Sequence, residues 1–278
     1  MEKILFDSHA HISDEAFDEE KEAFIEEIRA SQIKYCMDIA SSLKTSMDCI
    51  ESARKYDFCY ATVGVHPSEV EGLTESALDG CLQWYLTEPK VVAVGEIGLD
   101  YHYEDGPSKE EQIYWFERQI KWAVDHDAPI AIHSREADED TMNCLKRCGA
   151  FSKKRAAAFP KKPDGRDDCR VLLHCFSGSS ELARQYVKLG ATISLAGPVT
   201  FKNARKAVEV AEAIDMDDLL IETDSPYMAP VPMRGKVNRP VYVEYVAKKI
   251  AQIKGISYEE AAKKSLENAC RFYGIEDK

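Results

Sequence analysis

Short apolar, β-branched runs alternate along the chain with longer stretches whose apolar residues recur every three to four positions, the pattern of strands alternating with helices. Eight such runs stand out, at residues 4–7, 34–39, 60–65, 91–94, 129–132, 171–173, 191–195 and 219–221. Between them, Ser108 with Glu111 forms a capping box, after which Ile113, Phe116, Ile120, Ala123 and Val124 recur on one helical face. Near the end, Ser257 with Glu260 repeats the capping signal. Ala262, Leu266, Ala269 and Tyr273 keep the helical spacing, and Gly274 suits a C-terminal cap. Eight strand–helix units predict an α/β chain closed into a parallel (β/α)8 barrel, with one domain over residues 1–278.

Composition narrows the classes. With 45% hydrophobic and 31% charged residues, the chain is neither a disordered acidic tail nor a low-complexity fibre. Its net charge of −13 argues against retention on nucleic acid or anionic lipid by a global field, so a polyanionic substrate would need local positive charge. The nine cysteines are odd in number and lack a paired framework, which suits free thiols in a reducing compartment. No secretory h-region follows Met1, and no run approaches the about 20 apolar residues of a membrane span. A soluble cytoplasmic protein is expected, and nothing points to an obligate protein partner. One segment breaks the pattern: residues 148–168 carry Lys153, Lys154, Arg155, Lys161, Lys162 and Arg166 with two prolines and a net charge of +3. It reads as a solvated, extended insertion. Because it joins a helix to the next strand, a barrel places it opposite the catalytic loops.

The chemistry gathers at strand ends. The first strand runs into Asp7-Ser-His9-Ala-His11, and residues two apart on a strand share a face. Alone, His-x-His is a weak signal. The same position, however, is ligand-capable in five further units: His66 before Pro67, Glu96 in Gly95-Glu-Ile-Gly, His133 in Ile132-His-Ser-Arg135, His174 in Leu173-His-Cys-Phe, and Asp224 in Glu222-Thr-Asp-Ser-Pro226. Barrel enzymes place their chemistry at these C-terminal strand ends. Imidazole with carboxylate is a ligand set for divalent ions, and one carboxylate can bridge two ions, so a binuclear site is expected. The competing reading is a ring of polar groups satisfied by hydrogen bonds. His102 and His126 stand apart and are not expected to be ligands.

With these motifs in place, the sequence resembles the TatD family of metal-dependent hydrolases, a branch of the amidohydrolase superfamily. The matching stretches are Asp7-Ser-His-Ala-His11, Gly64-Val-His-Pro67, Gly95-Glu-Ile-Gly-Leu-Asp-Tyr101, Ile132-His-Ser-Arg135, His174-Cys-Phe-Ser-Gly178, Glu222-Thr-Asp-Ser-Pro-Tyr227 and the Pro232-Met-Arg-Gly-Lys stretch ending in Asn238-Arg-Pro240. Arg239 departs from the family, which usually has an acid there. The resemblance implies a distorted barrel, two metal ions and hydrolysis of DNA phosphodiesters, often as a 3′-to-5′ exonuclease; the donor chemistry leaves the divalent ions open among zinc, magnesium and manganese. It further implies that His9, His11, Glu96 and Asp224 hold one ion, and that Glu96, as the bridge, holds the second with His133 and His174.

On this footing Asp224 is the expected proton acceptor. His66 is either a donor to phosphate oxygens or a structural residue fixed by Pro67. Arg135 could grip phosphate or pair with Asp138 or Glu139, and Asp7 and Asp100 would orient ligands. Lys202, Arg205 and Lys206 follow the seventh strand and Arg234, Lys236 and Arg239 the eighth, so both clusters should rim the mouth. Tyr101, Phe176, Phe201 and Tyr227 are either core packing or base-stacking platforms. Besides a deoxyribonuclease, two readings stay open: an amidohydrolase of a small amide, ester or lactone, which would have a closed apolar pocket and few basic rim residues, and a barrel that binds metal without turnover, which would lack a ligand or base.

Overall fold

In a computed structural model that describes residues 2–103 and 105–277, all eight expected strands form. Met1, Glu104 and Lys278 of the expected 1–278 unit lie outside the described residues. The strands are β1 Leu5–Ala10, β2 Ile33–Asp38, β3 Cys59–Val63, β4 Val91–Asp100, β5 Ile130–Arg135, β6 Val171–Leu173, β7 Thr192–Leu195 and β8 Leu219–Ile221. The helices are α1 Lys21–Ala30, α2 Leu43–Lys55, α3 Glu75–Leu82, α4 Trp84–Thr87, α5 Lys109–Asp125, α6 Asp138–Arg147, α7 Lys153–Ala157, α8 Ser180–Lys188, α9 Arg205–Ala213, α10 Val243–Lys254 and α11 Tyr258–Tyr273. Every strand pairs parallel with the next in chain order, giving a (β/α)8 TIM barrel. Ser108 and Ser257 cap α5 and α11 through the amides of Glu111 and Glu260, and Gly274 ends α11 in the left-handed region at φ 70°.

Met37, Ala93, Leu172 and Leu220, one each from β2, β4, β6 and β8, share a buried cluster, which only the barrel interior allows for strands on opposite sides. Four side chains from alternate strands make one interior layer of such a barrel. Leu266, Ala269, Phe272 and Tyr273 of α11 join the same cluster, so the last helix closes the floor.

The barrel is distorted at one seam. Among the described residues β8 and β1 share no ladder; α11 satisfies their backbone instead. Ser265 Oγ accepts from Ile221 N (3.1 Å), Asn268 Nδ2 donates to Leu219 O (3.1 Å), and the Tyr273 hydroxyl donates to Ser8 O (2.9 Å). Above the seam, Asp224 N donates to His9 O (2.9 Å) and His11 N to Ser225 O (2.8 Å). The chain ends are thus tied through the residues that carry the chemistry.

The insertion does lie opposite the strand C-termini, but it is only partly solvated. It forms α7, and two of its six cations are buried: Arg155 is 1% exposed and Lys162 2%. Arg155 donates to the carbonyls of Cys169 (2.8 Å), Ala128 (2.7 Å) and Ala123 (3.3 Å). Lys162 donates to Ala191 O (2.7 Å) and pairs with Asp218 (2.6 Å). Apart from Ala123 in α5, these partners lie just ahead of β5, β6, β7 and β8. These two buried cations therefore satisfy backbone at the foot of the barrel, where an unpaired buried carbonyl is costly. No helix among the described residues is long and apolar enough to cross a membrane.

Candidate metal centre

β4 runs further than its apolar stretch, to Asp100, so Glu96 projects from within a strand. Its passage beside β5 depends on glycine: a Cβ on Gly98, at φ +156°, would lie 1.9 Å from His133 O. Glu96 is buried, and its two oxygens face different histidines. Oε2 stands 3.5 Å from His9 Nε2 and 3.8 Å from His11 Nε2. Oε1 stands 2.8 Å from His133 Nδ1, 2.6 Å from His174 Nε2 and 3.8 Å from His66 Nε2. Asp224 Oδ1 completes the first group, 3.5 Å from His11 and 3.8 Å from His9. All six expected ligands and His66 thus converge, and the groups His9–His11–Glu96 and Glu96–His133–His174 each bring their ligand atoms close enough to hold one ion.

The donors fit such ions. His9 is fully buried, and neither ring nitrogen has a hydrogen-bond partner. A buried polar atom left so costs about 1–3 kcal/mol unless something binds it. Two ligand atoms bonded tetrahedrally at about 2.1 Å stand about 3.4 Å apart, close to the 3.5–3.8 Å around His9 and His11. The second group is tighter, its atoms 2.6–3.3 Å apart in hydrogen-bond contact.

Electrostatics follow from this crowding. Burial opposes ionisation of Glu96, but His174, His133 and His9 hold its carboxyl well below the usual range. Asp224 is likewise buried yet held low, chiefly by its bond to His11. Burial would lower His11, but Asp224 and Glu96 raise it to about 9. Burial drives His66 down to about 3, so its ring is neutral. Because His66 Nδ1 accepts from Ser68 N (3.2 Å), the proton sits on Nε2, the nitrogen facing the centre.

Asp100 accepts from His133 Nε2 (3.0 Å), and Asp7 is held by Thr223 N (2.9 Å) and Thr223 Oγ1 (2.5 Å). Both touch the ligand-bearing segments as orienting groups would. The His102 ring pairs with exposed Glu136 (2.6 Å), and His126 caps α5 by bonding Trp122 O (2.8 Å); among the described residues neither belongs to a ligand group. Arg135 pairs with neither Asp138 nor Glu139 but lies 5.3 Å from the Tyr103 ring centre. Tyr101 bonds Asp140 and Phe176 is buried against Tyr186, both packing roles, whereas Tyr227 is 54% exposed beside His11. Sequence reasoning passed over one group, Glu222. It is fully buried, accepts from Cys175 N (2.6 Å) and stands 3.6 Å from His174 Nδ1. Its only signal was its place two residues before Asp224.

The rim is built by the segments after β7 and β8. They touch closely, since a Cβ on Gly197 would lie 2.1 Å from Met228 O, and Arg234 stacks 4.1 Å over Phe201. Lys202, Lys206, Arg234 and Lys236 are exposed, with no acid partner among the described residues. Arg205 pairs with Glu209 (3.1 Å). Arg239 does not belong to this set: it pairs with Glu20 and with Glu27 (2.8 Å) across the seam.

A TIM barrel whose strand C-termini surround a buried carboxylate with histidines is the architecture of a metal-dependent hydrolase. The family model described as TatD related DNase matches residues 6–274, and the chain belongs to that family. It is 39% identical to the uncharacterized metal-dependent hydrolase YabD of Bacillus subtilis over 98% of this chain and 100% of YabD. Among solved structures it resembles YjjV, a TatD homolog from Escherichia coli, at 28% identity and a TM-score of 0.86, covering 99% of this chain and 100% of that one. An uncharacterized amidohydrolase from Saccharomyces cerevisiae, 19% identical with a TM-score of 0.74 over 96% of this chain and 99% of that one, shares the fold.

Proposed function

We propose that this protein hydrolyses phosphodiester bonds in DNA, removing nucleotides from a 3′ end, with two divalent ions. His9, His11, Glu96 and Asp224 would hold one ion, and Glu96, His133 and His174 the other. The observation that carries the substrate class is the rim: four exposed cations, on the segments that follow β7 and β8, with no acid partner among the described residues, in a chain whose net charge is −13. A polyanion finds there the local positive charge that the whole molecule lacks.

Divalent ions in this centre would acidify a water and neutralise charge on the phosphate oxygens. Asp224, buried beside His11 and held ionised, accepts the proton of the attacking water. Neutral His66 offers Nε2–H to a non-bridging phosphate oxygen. Arg234 and Lys236 grip phosphates along the strand, and Arg135 offers a further planar donor. A small-amide substrate is less consistent with this rim, which would leave four cations without a role.

The test is turnover by the metal-loaded protein on single-stranded DNA, duplex DNA and a panel of amides, esters and lactones. Release of nucleotides from DNA supports the proposal. Turnover of lactones or amides without DNA cleavage would overturn it in favour of an amidohydrolase, and no turnover with full metal content would favour a binding protein.

A further inference from the structure

Both histidines on the Oε1 side of Glu96 have a buried carboxylate behind them. His133 is hydrogen-bonded through its outer nitrogen to Asp100 (3.0 Å), whereas His174 Nδ1 is buried without a hydrogen-bond partner and has Glu222 Oε1 as its nearest carboxylate oxygen, 3.6 Å away. Glu222 is the less expected, because a fully buried glutamate is rare without a cation, and the nearest cationic-capable group is His174 itself. Its Oε1 already fixes the backbone that carries this ring: it accepts from the amide of Cys175, which sits in the left-handed region at φ 42°. The other oxygen, Oε2, has no hydrogen-bond partner. His174 in turn is wedged flat against His9, ring centres 3.8 Å apart and planes within 7°, so it cannot swing to find a different partner.

We infer that Glu222 is a positioning residue for the metal centre. It holds the Cys175 turn, keeps the His174 proton on Nδ1, and so presents the bare lone pair of Nε2 beside Glu96. A carboxylate behind a ligating imidazole fixes its tautomer and raises its basicity, and loss of such a partner costs 10–100-fold in metal affinity. This inference rests on the reading of His174 as a ligand.

The test uses zinc as the probe and titrates wild type, Glu222→Met, Glu222→Gln, His174→Ala and the Glu222→Met/His174→Ala double variant against a competing chelator. Glu222→Met should weaken the affinity for one zinc by 10–100-fold, and Glu222→Gln, which keeps an acceptor for Cys175, by less. In the His174→Ala background the Glu222→Met change should shrink below twofold, because the ring through which Glu222 acts is gone; a merely structural role would persist there. Affinity of Glu222→Met within threefold of wild type, or an equal loss in both backgrounds, overturns the inference. Should Glu222→Met not fold, nitrogen-15 NMR of the zinc-loaded wild type decides: a proton on His174 Nδ1 is expected, and metal on that nitrogen overturns the claim. If His174→Ala leaves zinc binding unchanged, the ligand reading itself has failed. If His174→Ala weakens zinc and Glu222→Met does not, only the positioning role has.

Discussion

Replacing Arg155 by Met separates structural from substrate-binding charge in the basic insertion. The variant keeps the apolar stem but strands the carbonyls of Cys169 and Ala128, bonded at 2.8 and 2.7 Å, and loosens Ala123 at 3.3 Å. Burial pulls the guanidinium down to about 10, so it stays charged at neutral pH and its bonds are charge-assisted. Such bonds contribute roughly 1.5–3 kcal/mol each, and stranding two buried acceptors gives an expected loss of about 3–6 kcal/mol. At about 2–4 °C per kcal/mol for a chain of this size, the melting temperature should fall by roughly 10 °C. Scanning calorimetry on wild type, Arg155→Met and the exposed control Lys154→Met measures this, with DNA kinetics on the same samples at a temperature where all are folded. The control should stay within about 0.5 kcal/mol of wild type, and the KM for DNA should be the same in all three. A melting shift below about 2 °C for Arg155→Met, or a raised KM without a stability loss, would refute the assignment of this charge to the barrel's foot.

Other outcomes follow from the same geometry. Changing Arg234 and Lys236 to Ala together should raise the KM for DNA severalfold and flatten its salt dependence, with a log–log slope shallower by about 0.7 for each single-strand phosphate that is no longer neutralised; an unchanged slope would contradict the rim's role. Arg239→Ala should do neither but lower the melting temperature, because Glu20 and Glu27 already hold that guanidinium. In chelator-treated protein His11 titrates at about 9 against an ordinary 6.5. A raised folded-state pKa adds stability that is complete below about 6.5 and lost as pH rises through about 9. Melting temperature should therefore fall across that window in wild type but less in His11→Gln, and zinc affinity, which displaces the same proton, should rise. A wild-type melting temperature that climbs from pH 6.5 to 9 would contradict this.

The barrel was legible because its signal is local and repeated: β-branched runs, caps at Ser108 and Ser257, and histidines or carboxylates at successive strand ends. The distortion was not, since Ser265, Asn268 and Tyr273 seal the β8–β1 seam from a helix whose sequence shows only amphipathic spacing. Charge misled in two places for one reason, that composition does not reveal burial. Arg155 finds its partners in carbonyls 14 to 32 positions away, and Arg239 finds Glu20 and Glu27 more than 200 positions away. Glu222 escaped notice because a glutamate at a strand end carries no mark that separates a group behind a ligand from a ligand.

The central claim is that Glu96 is shared between two ions, one oxygen toward His9 and His11 and the other toward His133 and His174. Elemental analysis of wild type and Glu96→Ala, purified together and assayed for hydrolysis, tests it most directly. Two ions per wild-type chain, at most one in Glu96→Ala, and at least a tenfold loss of activity are expected. Two ions retained in Glu96→Ala with activity within tenfold of wild type would contradict the account.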